Sequence, residues 1–313
     1  MKAYARVQKI CFWGGMVGLL LVFVLLLAGT NETFVANLNA MVPKMFGTEA
    51  IDLYQATLEA GEAAGTVTAP WGNLAVMASI AIIPMIVFFN LWPNWGATLY
   101  GEVRGASDFK RNFWSMAAGL IGTAVLAVIV VLLINRLFGW DFYNAANLTF
   151  YEGTTPFNVF PYPALLVSFL TDSPVLQMWL LISMSAWFFG WCGTVFLSST
   201  RVIFAAAFDR ILPDWMAHVT AKFRAPVNAL LVMAVGGVIV SAGMHYTENL
   251  ETYALNATLV IAVTYLGTTI AAIILPYKDP ELYKSSPIAR LKLFGLPLIT
   301  VTGVIFALFL LFL

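Results

Sequence analysis

The sequence is poor in charge, in cysteine and in histidine. Only 10% of its 313 residues are Asp, Glu, Lys or Arg, whereas 61% are apolar, and the mean hydropathy is +0.86. This composition excludes ordinary soluble domains and disordered chains. The formal net charge is zero and no basic run is present, so we expect no nucleic-acid partner. The sequence therefore predicts that the lipid bilayer surrounds most of the chain.

The few cysteines and histidines form no catalytic or metal-binding pattern. Cys11 and Cys192 each lie within an apolar run, which is typical of small packing residues. His218 falls in a predicted loop and His245 at a predicted helix end. No ionisable residue lies deep in a predicted span, whereas proton relays, retinal proteins and intramembrane proteases need one. We expect no metal, no cofactor and no enzyme active site.

Seven apolar stretches are long enough to cross a membrane as helices. They cover residues 10–28, 73–99, 113–135, 175–208, 226–244, 254–276 and 294–313. We therefore expect an all-α, polytopic transmembrane helical bundle that forms a single integral membrane domain over residues 1–313. The longer connections between the spans are rich in Thr, Asn and Pro, and short re-entrant or surface helices are expected there.

The distribution of lysine and arginine predicts the orientation. Of the 16 such residues, 14 lie in one alternating set of connections, and only Lys44 and Arg136 lie in the other set. Positively charged loops are retained on the cytoplasmic side. We therefore expect a cytoplasmic N-terminus, with residues 30–72 and 140–174 outside, in the plasma membrane.

The second span contains helix-breaking residues at mid-depth. Proline has no N–H and clashes with the carbonyl four residues back, so Pro93 frees the carbonyl of Phe89, and Pro84 frees that of Ile80. Free backbone groups inside a bilayer are tolerated only where protein or a water-filled cavity satisfies them. The break therefore indicates a cavity, although a proline kink bridged by neighbouring helices would explain the same residues.

Three short motifs carry a resemblance to a known family. Residues 199–213 read STRVIFAAAFDRILP, with PVNA following at 226–229. This is similar to the S-[ST]-R-[VIL]-[LIF]-[YF]-A-x-[AS]-R-[DE]-G-x-L-P pattern that ends the eighth helix of the amino acid–polyamine–organocation (APC) permeases. Phe208 and Arg210 depart from it.

The other two motifs are shorter. GEVR at 101–104 resembles the G-E-[VI]-[KR]-N-P element that closes the sixth helix, but Gly105 and Ala106 replace N-P. ARVQ at 5–8 resembles the start of the fifth helix. Together the motifs align the seven spans with helices five to eleven.

The resemblance implies the C-terminal portion of an APC family amino acid permease. It implies a partial leucine-transporter-like fold of two inverted five-helix repeats, with helices one to four and twelve outside this sequence. The expected function is secondary active transport of an amino acid or related amine, with the coupling ion left open. The lack of buried charge favours neutral substrates.

Three other functions are alternative interpretations of this sequence. A seven-helix receptor is disfavoured because the last span lacks lysine and the N-terminus is predicted inside. A membrane-embedded enzyme lacks a nucleophile–base pair or metal set. A non-transporting accessory or truncated fragment stays open, and coding sequence for four upstream spans would argue against it.

The break in the second span predicts where a zwitterionic substrate binds. One half-helix ends in carbonyls with partial negative charge, and the next begins with N–H groups of partial positive charge. The carbonyls at the break are suited to accept hydrogen bonds from the substrate ammonium. The asparagine amides could contact the substrate or cap the second half-helix. The tryptophan could form a wall or gate of the site, or it could be a packing residue. The predicted substrate-binding residues are Phe88, Phe89, Asn90, Leu91, Trp92 and Asn94.

A second prediction concerns energy coupling. The resemblance implies a comparison with relatives that carry a lysine midway along the fifth helix, facing a serine on the eighth. A gap-free count places these positions at Gly15 and Trp191. We expect the Trp191 ring to fill the space beside Gly15, which would make a lysine-based proton mechanism unavailable. An alignment error of one helical turn is the alternative.

Overall fold

The computed structural model describes residues 2–47, 52–66, 76–90, 99, 105, 107–156, 159–221, 225–247 and 250–313. In chain order the helices are α1 (Lys2–Ala28), α2 (Asn31–Phe46), α3 (Leu53–Ala63), α4 (Val76–Ala81), α5 (Ile83–Asn90), α6 (Phe109–Phe138), α7 (Trp140–Tyr151), α8 (Pro163–Ser168), α9 (Pro174–Phe208), α10 (Val227–Tyr246), α11 (Leu250–Lys278), α12 (Pro280–Ser285) and α13 (Leu298–Phe312). A 3₁₀ turn covers Asp214–Ala217, and β1 (Lys292–Leu293) pairs with β2 (Leu296–Pro297) in an antiparallel hairpin.

Among the described residues, five helices are long and apolar enough to cross a membrane. They are Tyr4–Ala28 of α1, Phe109–Phe138, Pro174–Phe208, Val227–Tyr246 and Val260–Lys278 of α11. Each matches a predicted span, which confirms an all-α membrane helical bundle.

The two other predicted spans are seen only in part. The last one, α13, has 15 residues and begins at Leu298 rather than Phe294, because the β1–β2 hairpin takes the preceding residues. Of the stretch 73–99, the described helices are α4 and α5. A total of seven spans therefore stays a prediction.

The chain packs as two units, Met1–Asn73 with Leu120–Ser198 and Leu74–Gly119 with Ser199–Leu313. In the first unit, four short helices, α2, α3, α7 and α8, cover one end of α1, α6 and α9. We call the described residues within 31–63 and 140–168 the cap. Short helices were predicted in these two segments, and their presence is confirmed.

An aromatic cluster forms the core of the cap. Phe34 is fully buried, with its ring centroid 4.3 Å from Phe138 and 5.5 Å from Phe142. Tyr54 stacks on Phe142 at 4.6 Å. α2 turns one face to this cluster because its apolar residues repeat every four positions, which is the spacing of a helix buried on one side. Burial of large aromatic rings contributes most of the apolar area of such a core.

Side-chain hydrogen bonds fix the short helices of the cap. The Asn39 Oδ1 accepts from the backbone N–H of Leu53 at 2.9 Å and of Tyr54 at 3.2 Å, and its Nδ2 donates to Asp52 Oδ1 at 3.0 Å. Asp52 caps α3 by accepting from the N–H of Gln55 at 3.1 Å. These bonds satisfy backbone donors that a helix start leaves without intrahelical partners.

In the second unit, α11 and α13 pack through small residues. A Cβ added at Gly303 would lie 2.6 Å from Ile273 Cγ1, so only glycine allows this approach. The Thr300 hydroxyl donates to the Ile273 carbonyl at 3.4 Å. Small residues and threonine hydroxyls are the usual means of close helix contact in membranes, where burial against lipid tails gives no hydrophobic gain.

Candidate functional site

The helix of the second span is interrupted near its first proline. α4 ends at Ala81 and α5 begins at Ile83, which leaves Ile82 between them, two residues before Pro84. The proline ring cannot donate to the Ile80 carbonyl and clashes with it, so a continuous helix is disfavoured here. The described residues therefore show an interruption beside Pro84, whereas the break predicted at Pro93 lies outside them.

The predicted substrate-binding residues lie at the end of α5 and beyond it. Phe88, Phe89 and Asn90 form the last turn of α5. The Asn90 Nδ2 donates to the Ile86 carbonyl, one turn back, at 2.6 Å. Leu91, Trp92 and Asn94 lie outside the described residues, as does Pro93. The Asn90 amide therefore hydrogen-bonds a carbonyl of its own helix, and its contact with substrate stays a prediction.

The predicted coupling positions lie on α1 and α9, which run antiparallel. As residues ascend along α1, their neighbours descend along α9: Gly14 faces Ala186, and Gly18 faces Ser183. A Cβ added at Gly14 would lie 3.9 Å from the Ala186 Cβ. At Gly18 the Ser183 hydroxyl takes the place of the missing Cβ, and this hydroxyl donates to the Leu180 carbonyl at 2.9 Å.

The tryptophan beside Gly15 is Trp187, not Trp191. The three atoms nearest to a Cβ built at Gly15 all belong to the Trp187 indole, which fills that space. The indole Nε1 also donates to the Phe12 carbonyl at 3.2 Å. Trp191 lies one turn further along α9 and is 50% exposed. The expected ring was therefore misplaced by one helical turn, because a count without gaps cannot detect a four-residue shift that preserves the helix face.

The other end of the α1–α9 pair is polar. The Gln8 Nε2 donates to the Gly190 carbonyl and to Thr194 Oγ1 at 3.0 Å, and lies 2.8 Å from the Tyr4 hydroxyl. The Tyr4 hydroxyl donates to Thr194 Oγ1 at 3.2 Å. The sequence reasoning missed this network. Its signal was the four-residue spacing of Tyr4 with Gln8 and of Gly190 with Thr194, which places each pair on one helix face.

The ionisable residues of the described chain suggest no second kind of site. No group of three or more His, Cys, Asp or Glu residues is close enough there to hold a metal ion. In the cap, burial raises the pKa of the Tyr54 and Tyr143 hydroxyls above the ordinary value, and Tyr54 donates to the Phe138 carbonyl at 2.9 Å. Tyr54 is therefore a structural hydrogen-bond donor in its neutral form.

Comparison with known proteins identifies the family. A family model described as amino acid permease matches residues 1–313. No curated protein and no solved structure gives a match. The match covers residues 1–313, which include the five long apolar helices of the described residues and the predicted second span. The chain belongs to the amino acid permease family.

Proposed function

We propose that this permease performs secondary active transport of neutral amino acids and holds its substrate at the break of the second span, residues 88–94. The observation that supports the proposal is that the helix of this stretch is already interrupted at Ile82, two residues before its first proline; the break at residues 88–94 is proposed from the second proline, Pro93. Membrane transporters use interrupted helices to expose backbone groups at mid-depth. The proposed architecture has seven spans in a partial pair of inverted five-helix repeats.

The break suits a zwitterion because it offers both signs of partial charge. Carbonyls at the end of α5 would accept hydrogen bonds from the substrate ammonium, and N–H groups beyond the break would donate to its carboxylate. The Asn90 amide, which now donates to the Ile86 carbonyl, can exchange that bond for a substrate oxygen. Trp92 would form a wall or gate of the site.

Two matched asparagine variants test the site. Asn90 and Asn147 both donate to the carbonyl four residues back, at 2.6 Å and 2.8 Å, so alanine removes the same bond from each. In the purified, reconstituted protein, we expect Asn90→Ala and Trp92→Ala to raise the substrate Kd at least about tenfold, or about 1.4 kcal/mol. Asn147→Ala should stay within about twofold.

Two outcomes would reject this site. If Asn90→Ala and Trp92→Ala both bind a neutral amino acid like the parent, the substrate lies elsewhere. If both fail to fold while Asn147→Ala folds, the break is a structural kink.

The coupling proposal follows from the Gly15–Trp187 contact. Gly15 has no titratable side chain, and the Trp187 indole occupies the adjacent space. A lysine-based proton mechanism therefore has no group at this position, and we propose that Gly15 and Trp191 take no part in proton transfer. Proton uptake that accompanies transport and disappears on substitution of Trp191 or Gly15 would contradict this.

Sidedness can be tested with two glutamates. The split of 14 to 2 in lysine and arginine supports a cytoplasmic N-terminus and an exterior cap. Glu59 lies exposed on α3, and Glu281 lies exposed on α12, on the opposite predicted side. In a background without Cys11 and Cys192, Glu59→Cys should react with an impermeant maleimide added outside, and Glu281→Cys only after permeabilisation. The reverse pattern would overturn the orientation.

A further inference from the structure

The network at the end of α1 is closed and uncharged. The Gln8 amide nitrogen has two hydrogens and three neighbouring acceptors: the Gly190 carbonyl, Thr194 Oγ1 and the Tyr4 hydroxyl. The Tyr4 hydroxyl passes its hydrogen to Thr194, whose hydroxyl lies 3.4 Å from the Gly190 carbonyl as a donor. Each polar hydrogen that Tyr4, Gln8 and Thr194 direct into this contact therefore has an oxygen acceptor within the network.

Two glycines of α9 make room for this network. A Cβ added at Gly193 would lie 3.0 Å from Tyr4 Cε2 and 3.1 Å from Gln8 Nε2. A Cβ added at Gly190 would lie 2.9 Å from the Cys11 Cβ. The local sequence of α9 is therefore matched to the polar residues of α1, which argues for a specific contact rather than a chance one.

The two ends of α1 are held by different means. At the cap end, Val22 and Leu26 are buried in the apolar core, and the Arg136 guanidinium donates to the Leu27 carbonyl at 3.2 Å. At the other end, near the exposed Arg6 and Lys9, neutral hydrogen bonds to α9 accompany the packing of Cys11 against Gly190. Neutral hydrogen bonds between membrane helices are individually weak. The cap end is thus built to stay in place, and the basic end can separate reversibly.

We propose that Tyr4, Gln8 and Thr194 form a latch that holds the basic ends of α1 and α9 together and opens reversibly during transport. The link to transport rests on the proposed function, whereas the latch itself is a property of the helix pair. Because the network contains no ion pair, its opening leaves no buried charge uncompensated. Loss of its central donor should therefore shift the closed state toward the open one without unfolding the cap.

Cys11 provides the reporter. It is buried, at 8% exposure, and lies beside Gly190, one turn from Gln8. Cys192→Ser leaves it as the single thiol of the chain, because the sequence has two cysteines. In the reconstituted full chain with this background, Gln8→Leu should raise the rate of Cys11 labelling by N-ethylmaleimide about tenfold, the factor that corresponds to about 1.4 kcal/mol. Thr194→Val should raise it less, and Thr194→Ser should match the parent.

Gln177→Leu is the matched control. Gln177 is also a glutamine with several acceptors, donating to the Ser168 and Thr171 carbonyls at 3.2 and 2.8 Å, but it lies at the cap end of α9. Its substitution should leave Cys11 labelling within about twofold of the parent. Equal labelling of Gln8→Leu, Thr194→Val and the parent would overturn the latch, and so would an equal rise in Gln8→Leu and Gln177→Leu.

Substitute variants and a comparison of labelling with transport separate a folding defect and a failed function from a failed latch. If Gln8→Leu does not fold, Tyr4→Phe and the Thr194→Val and Thr194→Ser pair decide the question, since each removes or retains a single hydroxyl. Labelling needs no substrate, so Gln8-dependent labelling in a protein that binds no amino acid would reject the proposed function and leave the latch. Normal transport with Cys11 labelling that does not depend on Gln8 would support the proposed function and reject the latch.

Discussion

The two ends of the α1–α9 helix pair are stabilised in different ways. At the cap, Phe34, Phe138 and Phe142 are fully buried in an aromatic core that resembles the interior of a soluble domain. At the basic end, Gln8 and Thr194 meet through neutral hydrogen bonds between helices that are otherwise apolar. Apolar residues give a driving force where water is the alternative solvent, and lose it where lipid is. From this difference we expect the cap to stay packed while the proposed latch at the basic end opens.

The largest expected effect is at the centre of the cap. Phe34→Ala should lower the free energy of unfolding by about 3–5 kcal/mol, because it removes a fully buried ring and leaves a cavity. Phe189, which is 70% exposed on α9, is the matched control and should change it by less than about 1 kcal/mol. Denaturant unfolding of the solubilised protein measures both. Equal losses in the two variants would show that the cap has no special core.

Two glycine-to-alanine variants, whose effects on stability should be smaller and of opposite sign, test the packing between α1 and α9. Gly15→Ala places a methyl group where the Trp187 indole lies and should destabilise by about 1–3 kcal/mol through overpacking. At Gly122 of α6, a Cβ would meet no described atom within 4 Å, so Gly122→Ala should stabilise by up to about 1 kcal/mol.

The Gly15 effect should also depend on its neighbour. Trp187→Phe, combined with Gly15→Ala, should recover part of the loss, as a double-mutant cycle on thermal unfolding would reveal. Additive losses in the double variant would mean that the indole is not the obstacle.

The smallest expected effect is a pH dependence of the cap. Burial raises the pKa of Tyr54 in the folded state above 10.0. The folded state therefore holds this proton more tightly than the unfolded chain, so its stabilisation is complete below about pH 10 and is lost as pH rises through the folded-state pKa. Ionised Tyr54 can no longer donate to the Phe138 carbonyl.

Limited proteolysis of the cap between pH 9 and 11 measures this effect. The parent should become more susceptible above about pH 10, and Tyr54→Phe should show a smaller rise. The remaining rise is expected from Tyr143, whose pKa burial also raises. An identical rise in parent and variant would assign the pH dependence to other groups.

Some of this architecture could be predicted from the sequence. Apolar length was enough for the five long helices, and the missing donor of Pro84 was enough for the interruption at Ile82. The cap could be anticipated as short helices because its segments are polar and long.

The packing of the spans could not be predicted in the same way. On α1, Leu20 is 65% exposed and Leu26 is fully buried, although both are leucines within one apolar run. A helix that is apolar on all sides gives no periodic signal for its protein-facing side. The same lack of signal allowed Trp191 to be expected where Trp187 lies.

The central claim, that this permease recognises a zwitterion, is tested most directly by competition in proteoliposome uptake. A radiolabelled neutral amino acid is the substrate, and the competitors are the unlabelled amino acid, its decarboxylated amine and its deaminated acid. We expect saturable uptake that the amino acid inhibits at least about tenfold more strongly than either analogue, because the proposed break would present partial charges of both signs to the substrate. Equal inhibition by either analogue, or no saturable uptake by the folded protein, would contradict the account.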